Sequence, residues 1–79
     1  MADNGHDTLS KEILKQVKDS GEPLETKEIE TLLKKRIKSI TRTKIFYRLM
    51  LLRGEGLVNG KFVGPGKGVW IWWKKEGKR

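Results

Sequence analysis

Residues 40–58 read ITRTKIFYRLMLLRGEGLV, and the other elements of the chain are arranged around the helix that this segment predicts. Thr41 suits the N-cap of that helix, because its hydroxyl can accept a hydrogen bond from a backbone N–H two or three residues further on. No glycine or proline follows before Gly54, and Gly54 together with Gly56 predicts the end of the helix. A strand is expected to begin directly afterwards.

The predicted helix has an apolar side and a polar side. Ile45, Leu49 and Leu52 recur at the four- and three-residue spacing of one helical face, which predicts that they point into a core. The opposite side carries basic and hydrogen-bonding side chains and is left for contacts outside the core. These outward residues are Thr43, Lys44 and Tyr47, with Arg42 at the edge.

This segment resembles the third helix of winged-helix proteins, a branch of the helix-turn-helix superfamily. In that family a small hydroxyl residue and a basic residue begin the helix, as Thr41 and Arg42 do here. A segment similar to GEGLV, found here at residues 54–58, follows the end of the helix. The resemblance covers roughly residues 8–75 and is to the type of small archaeal or viral regulators. It implies an α+β fold, a winged helix-turn-helix with three helices and a small antiparallel sheet that includes a β-hairpin wing.

Length and composition limit the kind of protein this can be. With 79 residues there is room for one small domain, which buries roughly 60% of the surface of its unfolded chain. The sequence has no cysteine and one histidine, His6, so we expect neither a metal site nor a cofactor. No nucleophile, base and orienting group stand together, so we expect no enzymatic activity and no small-molecule substrate.

Signals for membrane insertion or export are not apparent in the sequence. No apolar run approaches the ~20 residues needed to span a bilayer, and residues 1–10 lack a basic segment followed by an apolar one. We therefore expect an intracellular protein without membrane contact, either cytoplasmic and associated with the nucleoid or inside a host cell.

The net charge of +8 is unevenly distributed along the chain. Residues 1–33 carry eight acidic residues and four lysines, a net of −4, whereas residues 34–79 carry fourteen basic residues and two glutamates, a net of +12. Solubility alone does not require such segregation. A basic half that contains the predicted outward helix favours a polyanionic partner such as nucleic acid.

The chain divides into three predicted segments. Residues 1–7 are polar and small, and we expect them to be a disordered N-terminal tail. Residues 8–75 form the predicted winged-helix domain, and residues 76–79 form a basic tail.

The first predicted helix is capped by Asp7 or Thr8 and runs to about Asp19. Apolar residues fall on one stripe of this helix, as expected for a side that packs against a core. Leu24 follows a proline and is expected to form a short third strand beside the wing.

The second predicted helix opens at Thr26, or at Glu25 paired with Glu28, and ends near residues 36–37. Only residues 38–39 would then separate it from the segment that begins at Ile40. That length suits the corner of a helix-turn-helix.

A basic run at residues 34–38 precedes the third helix. Cations at a helix C-terminus complement its dipole, which accounts for one or two of the four basic residues. Because the second helix of a helix-turn-helix crosses the phosphate backbone, we expect Lys35 and Lys38 to contact phosphates, against the alternative of a merely solvated cluster. Lys38 also stands where the family often has glycine, which predicts a longer or different turn.

A hairpin is predicted from the strands Leu57–Val63 and Val69–Trp73, with residues 64–68 as its glycine-rich tip. A symmetric five-residue loop would place Phe62 opposite Trp70 and Gly60 opposite Trp72. The same register places Val63 opposite Val69 and Lys61 opposite Ile71.

Apolar residues exceed what one small core obviously needs. Trp70 or Trp72 is expected to pack against the first and third helices, which leaves another tryptophan for a dimer contact or for stacking on a base. Phe46, Met50 and Leu51 extend the apolar area of the third helix and favour a homodimer.

Arginines of the third helix differ in their expected roles. Arg42 can make a bidentate contact to guanine or can clamp a phosphate. Arg48 and Arg53 lie nearer to the flanks of the core-facing side, and we expect them first to form salt bridges or to contact a backbone.

Together with the resemblance, these features favour a protein that binds double-stranded DNA, as a small transcriptional regulator or a DNA-associated accessory factor. The third helix would enter the major groove, and the wing would lie on the backbone or in the minor groove. The alternatives are a protein-interaction module of a transcription or replication assembly, and a binder of single-stranded nucleic acid through exposed tryptophan. The residues expected to contact DNA are Thr41, Arg42, Thr43, Lys44, Tyr47, Lys35, Lys38, Lys61 and Lys67.

Overall fold

The computed structural model describes residues 7–75, which form three helices and a three-stranded antiparallel sheet. The predicted N-terminal tail, apart from Asp7, and the predicted basic tail lie outside the described residues. The strand order is β1-β3-β2, so β3 is the central strand. The elements are α1 (Thr8–Asp19), β1 (Leu24–Glu25), α2 (Thr26–Leu33), α3 (Arg42–Gly54), β2 (Val58–Val63) and β3 (Val69–Lys74).

All three helices begin with the caps that the sequence predicts. The Asp7 carboxylate accepts a hydrogen bond from the backbone N–H three residues further on, at 2.8 Å. At the start of α2 the Glu25 N–H donates to the Glu28 carboxylate at 2.7 Å, as in a capping box. The Thr41 hydroxyl accepts from the backbone three residues into α3, at 3.2 Å. Local polar chemistry therefore sets each N-terminus.

The predicted C-terminus of α2 was wrong, because α2 ends at Leu33 rather than near residues 36–37. The N–H groups of Arg36 and Ile37 both donate to the Leu33 carbonyl, at 2.9 and 2.8 Å, so the chain closes a turn there instead of continuing the helix. The Ile40 N–H then donates to the Ile37 carbonyl at 3.3 Å. The longer corner that Lys38 suggested is confirmed.

The end of α3 follows from its glycines, as predicted. Gly56 has a φ of 80°, a backbone conformation that residues with a side chain rarely adopt. Its N–H donates to the Arg53 carbonyl at 3.0 Å, and the Leu57 N–H donates to the Leu52 carbonyl at 2.9 Å. These two bonds form a Schellman motif, which satisfies the last carbonyls of the helix and turns the chain into β2.

The core lies between the three helices and one face of the sheet. Trp72 is its largest buried side chain, and the Trp72 indole N–H donates to the Thr26 hydroxyl at 2.8 Å. This bond satisfies the buried indole and joins the centre of the sheet to the start of α2. The fully or almost fully buried apolar residues are Ile13, Val17, Ile29, Leu33, Ile40, Ile45, Leu49, Leu52, Val58 and Trp72.

The register of the hairpin is the predicted one, with Phe62 opposite Trp70, Gly60 opposite Trp72, Lys61 opposite Ile71 and Val63 opposite Val69. The register explains one glycine directly, because a Cβ on Gly60 would lie 2.4 Å from the Trp72 ring. Glycine at this position therefore leaves room for the buried indole beside β2.

Candidate nucleic-acid interface

The outward side of α3 is exposed along its length. Thr43, Lys44 and Tyr47 are all exposed, and Tyr47 keeps 60% of its surface accessible to solvent. Arg42 and Lys44 are two positions apart and therefore about 200° apart around the helix, so they flank the strip that Thr43 and Tyr47 form. Thr41 is also exposed, with its hydroxyl oxygen engaged in the N-cap. All five residues are therefore exposed, with Thr43 and Tyr47 on one strip of α3, Arg42 and Lys44 on its two flanks, and Thr41 at the N-cap.

The Arg42 flank of α3 is held by an acidic residue that the sequence reasoning missed. Arg42 Nε lies 2.7 Å from Oε1 of Glu30 on α2, and Lys34 Nζ lies 3.3 Å from the other carboxylate oxygen. The Glu30 side chain is only 13% exposed. The hydrogen bond from Arg42 is the main reason that the pKa of Glu30 is lowered, so the carboxylate stays ionised.

The sequence indicates one part of this arrangement, the pairing of Glu30 with Lys34. Glu30 and Lys34 have the four-residue spacing at which opposite charges meet on a helix. The pairing of Glu30 with Arg42 spans the corner between α2 and α3, and its geometry depends on how those two helices pack.

The opposite flank of α3 carries a second internal ion pair. Arg48 Nη2 lies 2.7 Å from Oδ2 of Asp7, the cap of α1. This bond is the main reason that the pKa of Asp7 lies well below its usual range, and the hydrogen bond from the backbone N–H of Ser10 is the next largest cause. It also raises the pKa of Arg48. The expectation that Arg48 forms a salt bridge is confirmed.

Arg53, near the end of α3, is engaged with the hairpin. Its Nε donates to the Gly60 carbonyl at 3.2 Å, and its guanidinium carbon lies 5.5 Å from the centre of the Trp70 ring. The bond to a protein backbone carbonyl and the cation–π contact tie the C-terminal half of α3 to the sheet.

The basic run at residues 34–38 separates into two kinds of cation. Lys34 pairs with Glu30, and Arg36 pairs with Glu12 at 2.7 Å. Lys35 and Lys38 are exposed, and among residues 7–75 no acidic partner lies within ion-pairing distance of either. Lys35 and Lys38 are also the two members of the run that are predicted to contact phosphates.

A groove of about 380 Å³ joins the N-terminal half of α3 to the wing. Arg42, Thr43 and Phe46 form one wall, Val69 and Trp70 of β3 form another, and the start of α2 closes one end. β1 pairs with β3 only at positions 71–72, so Val69 and Trp70 extend beyond it. The N-terminal half of α3 and the base of the wing therefore share one concave surface.

The two predicted wing lysines lie at different places. Lys67 is exposed in the tip, two residues before β3 begins. Lys61 is exposed on β2. Because successive side chains of a strand alternate, it points away from the sheet face that carries the Trp72 ring. The structure thus brings Lys67 to the end of the strand that lines the groove and places Lys61 on the far strand.

An aromatic cluster, Phe46, Phe62, Trp70 and Trp72, runs from the core towards the tip. The Trp70 ring stacks on Trp72 with centroids 5.1 Å apart, and Phe46 and Phe62 contact it edge-on at 5.8 and 6.1 Å. Phe46 also contacts Trp72 edge-on at 5.9 Å. The prediction that Trp70 or Trp72 packs inward is confirmed for Trp72, while Trp70 is half-buried among these rings.

This cluster changes the interpretation of the spare apolar area on α3. Phe46 and Met50 pack against the core, whereas Leu51 remains 48% exposed. The helical pattern does not indicate this role of Phe46, because its ring contacts come from β3 rather than from neighbours on the helix. The homodimer stays a prediction that now rests mainly on Leu51.

Two limits on other kinds of site follow from the described part of the chain. Among residues 7–75 no three acidic or histidine side chains converge so that they could hold a metal ion. None of the helices described is long and apolar enough to cross a bilayer.

Sequence comparison identifies the domain type. The model of the ribonuclease R winged-helix domain family matches residues 11–67, which is more than half of the chain. Compared directly by sequence, no curated protein matches.

Comparison with solved structures shows the same fold. The ferric uptake regulator Fur of Helicobacter pylori, described as having three functional metal-binding sites, superposes with a TM-score of 0.77 at 15% identity. That match covers 94% of this chain and 48% of the Fur chain, so the chain spans about half the length of Fur. HOP2, in a structure that concerns DNA recognition and protein interaction domains and homologous DNA pairing, superposes with a TM-score of 0.65 at 20% identity, over 84% of this chain and 97% of that one. The predicted winged-helix fold is confirmed.

Proposed function

The chain belongs to the ribonuclease R winged-helix domain family, and from this premise we propose that it binds double-stranded DNA. In this proposal α3 lies in the major groove, and the hairpin wing lies on the adjacent backbone or in the minor groove. Residues 8–75 are the binding domain, and the role is that of a small transcriptional regulator.

The observation that carries the proposal is the contrast between the two sides of α3. Ile45, Leu49 and Leu52 are fully or almost fully buried, which fixes the helix against the core. The opposite side is exposed and presents a threonine, a lysine and a tyrosine, which can donate hydrogen bonds to base edges or phosphates. An exposed helix of this composition, held rigidly from behind, suits insertion into the major groove.

Cations beside α3 supply the electrostatic attraction in this proposal. Lys35 and Lys38 lie in the corner that precedes α3, and Lys67 lies at the wing tip. Lysine contacts to phosphates fix the register of a protein on DNA without reading its sequence. Corner and wing would then hold the backbone on both sides of the inserted helix.

The aromatic cluster supports duplex over single-stranded nucleic acid. Binding of single strands uses aromatic faces on which bases can stack. Trp72 is buried, and the Trp70 ring already contacts Trp72, Phe46, Phe62 and the Arg53 guanidinium. Trp72 is therefore closed to a base, and Trp70 offers only the part of its ring that these contacts leave exposed, while Trp73 is half-buried.

Binding to a labelled random 25-base-pair duplex and to the matching single strand, measured over a salt series, tests the proposal. With about four to six phosphate contacts, the logarithm of the duplex affinity should fall with the logarithm of the salt concentration with a slope of about −4 to −5. Absence of duplex binding at low salt would reject the proposal in favour of a protein-interaction module. Stronger tryptophan quenching by the single strand would favour the single-strand alternative.

A matched pair of double variants tests which cations contact phosphates. Replacing Lys35 and Lys38 by Gln removes cations without an acidic partner and should make the salt slope less steep by about 1 to 2. Replacing Lys34 and Arg36 by Gln removes two cations that already pair with Glu30 and Glu12, so the slope should change less. Equal changes for both pairs would contradict the assignment of the phosphate contacts.

A further inference from the structure

We propose that Arg42 recognises a guanine in the major groove and that Glu30 is the positioning residue that sets the orientation needed for this contact. The inference rests on the proposed duplex binding and adds to it a preference for one base. Three observations support this inference: the Arg42 atoms that hydrogen-bond to Glu30, the negative charge of Glu30 beside the guanidinium, and the position of Arg42 at the start of α3.

The ion pair with Glu30 engages one edge of the Arg42 guanidinium. Arg42 Nε donates to Glu30 Oε1 at 2.7 Å, and no residue of the described chain accepts from the terminal atoms Nη1 and Nη2. A guanidinium has five N–H groups in a fixed plane, one on Nε and four on the terminal nitrogens. The contact with Glu30 therefore leaves the terminal pair to act as two parallel donors.

Two parallel donors match one base in the major groove. Guanine presents two adjacent acceptors there, O6 and N7, whereas adenine presents the N7 acceptor beside the N6 donor. Cytosine presents a donor, and thymine presents one acceptor beside a methyl group. An arginine whose Nε is already engaged can thus satisfy both terminal nitrogens on guanine, in an end-on bidentate contact.

Glu30 is placed to hold this orientation. It lies on α2 next to the buried Ile29 and three positions before the buried Leu33, so packing fixes its backbone. Its side chain is 13% exposed, and Lys34 occupies its other oxygen at 3.3 Å. Arg42 is 57% exposed, so the restraint comes from the less exposed acid and the recognition from the exposed guanidinium.

The charge of Glu30 favours a base over a phosphate as the partner of Arg42. A carboxylate 2.7 Å from the guanidinium offsets part of its attraction for a phosphate, although Lys34 on the other carboxylate oxygen leaves the three side chains with one net positive charge. The edge of guanine is polar but uncharged, so hydrogen bonds from the terminal nitrogens remain available to it. Lys35 and Lys38, without such an acid, suit phosphates better.

The other arginines of the described chain are engaged differently. Arg36 and Arg48 both use Nη2 for their ion pairs, which removes one of the two terminal donors. Arg53 lies over the Trp70 ring near the C-terminal end of α3. Arg42 is the first residue of α3, and N-terminal residues of a recognition helix reach the base edges.

Selection of bound duplexes from a random library, followed by affinity measurements on the selected site, tests the inference. We expect one position at which guanine is required. Replacing it by adenine or by 7-deazaguanine, which lacks the N7 acceptor, should lower the affinity roughly 5- to 150-fold. With Arg42→Ala this preference should disappear at that position and persist elsewhere in the site.

Glu30→Ala tests the positioning role. The preference for guanine should fall to a few-fold, while affinity for duplexes without that guanine should stay the same or rise because a negative charge is removed. A purely structural role would instead lower affinity for all duplexes together with the melting temperature. Glu12→Ala, which removes the comparable 2.7 Å pair with Arg36, should leave the guanine preference unchanged and is the matched control.

The outcomes separate this inference from the proposed function. Duplex binding with the expected salt slope, but without a preference for guanine that is lost when Arg42 is replaced, would overturn the inference. The proposed duplex binding would remain. An undiminished preference in a folded Glu30→Ala variant would overturn the positioning role. If Glu30→Ala does not fold, Arg42→Ala, which keeps Glu30, still decides whether this side chain reads a guanine.

Discussion

The two sides of α3 place the same residue type, leucine, in opposite environments. Leu49 is 0% exposed on the side that faces the core, and Leu51, two positions away, is 48% exposed on the side that faces outward. Hydrophobicity therefore does not separate them, whereas their angular position on the helix does. The core-facing side should determine stability, and the outward side should tolerate change and serve binding.

The largest expected effect comes from comparing these two leucines directly. Leu49→Ala should lower the free energy of unfolding by about 2–5 kcal/mol, because it removes buried methyl groups and leaves a cavity. Leu51→Ala should change it by no more than about 0.5 kcal/mol. Urea unfolding followed by tryptophan fluorescence measures both. Similar losses for the two variants would show that the outward side is itself packed, for example in a homodimer.

A second test concerns the sheet that supports the core-facing side of α3. Gly60→Ala would place a methyl group 2.4 Å from the Trp72 ring, and the forced displacement of that ring should destabilise the domain by about 1–3 kcal/mol. Gly21→Ala is the control, since a Cβ there meets no atom within 4 Å and should leave stability unchanged or raise it by up to about 1 kcal/mol. Thermal unfolding by circular dichroism compares them. Equal melting temperatures would mean that the indole can move without loss.

The smallest effect is expected at the Arg48 flank, where Asp7 pairs with Arg48. The lowered pKa of Asp7 means that the pair stabilises the fold above the ordinary aspartate pKa of about 4 and that this stabilisation is lost as the pH falls below it. Asp7→Asn keeps a capping side chain but removes the charge, so at pH 7 it should be less stable by at most about 1 kcal/mol.

Urea titrations between about pH 2 and pH 7 measure this difference. The gap between wild type and Asp7→Asn should narrow as the solution is acidified. Arg48→Gln removes the same pair from the other side and should show the same trend. A gap that persists at low pH would show that the loss comes from the cap rather than from the charge.

Features that depend on neighbours in the chain were predictable. The caps at Asp7, Glu25 and Thr41, the glycine turn after α3 and the buried stripe of α3 all follow from contacts within a few residues. The hairpin register was also predictable, since a five-residue tip fixes which residues oppose each other. In each case the geometry of one helix or one turn restricts the partners that a group can reach.

Features that depend on how elements pack together were not predictable from the pattern. Helical periodicity continues past Leu33, but tertiary packing turns the chain there and brings Ile40 into the core. Phe46 lies outside the predicted stripe, yet β3 supplies aromatic rings that cover it. Expectations based on one element fail where a second element supplies the contact.

By itself the sequence determined that the chain forms a winged helix with a basic second half, because caps, helical period and turn glycines act over short distances. Only the tertiary structure decided how the charges are used. It pairs Arg42, Arg36 and Arg48 with acids from the first half of the chain and leaves Lys35 and Lys38 without such partners within residues 7–75. Ion pairs form only where packing brings side chains within about 4 Å, and spacing along the sequence does not specify that distance for residues on different helices.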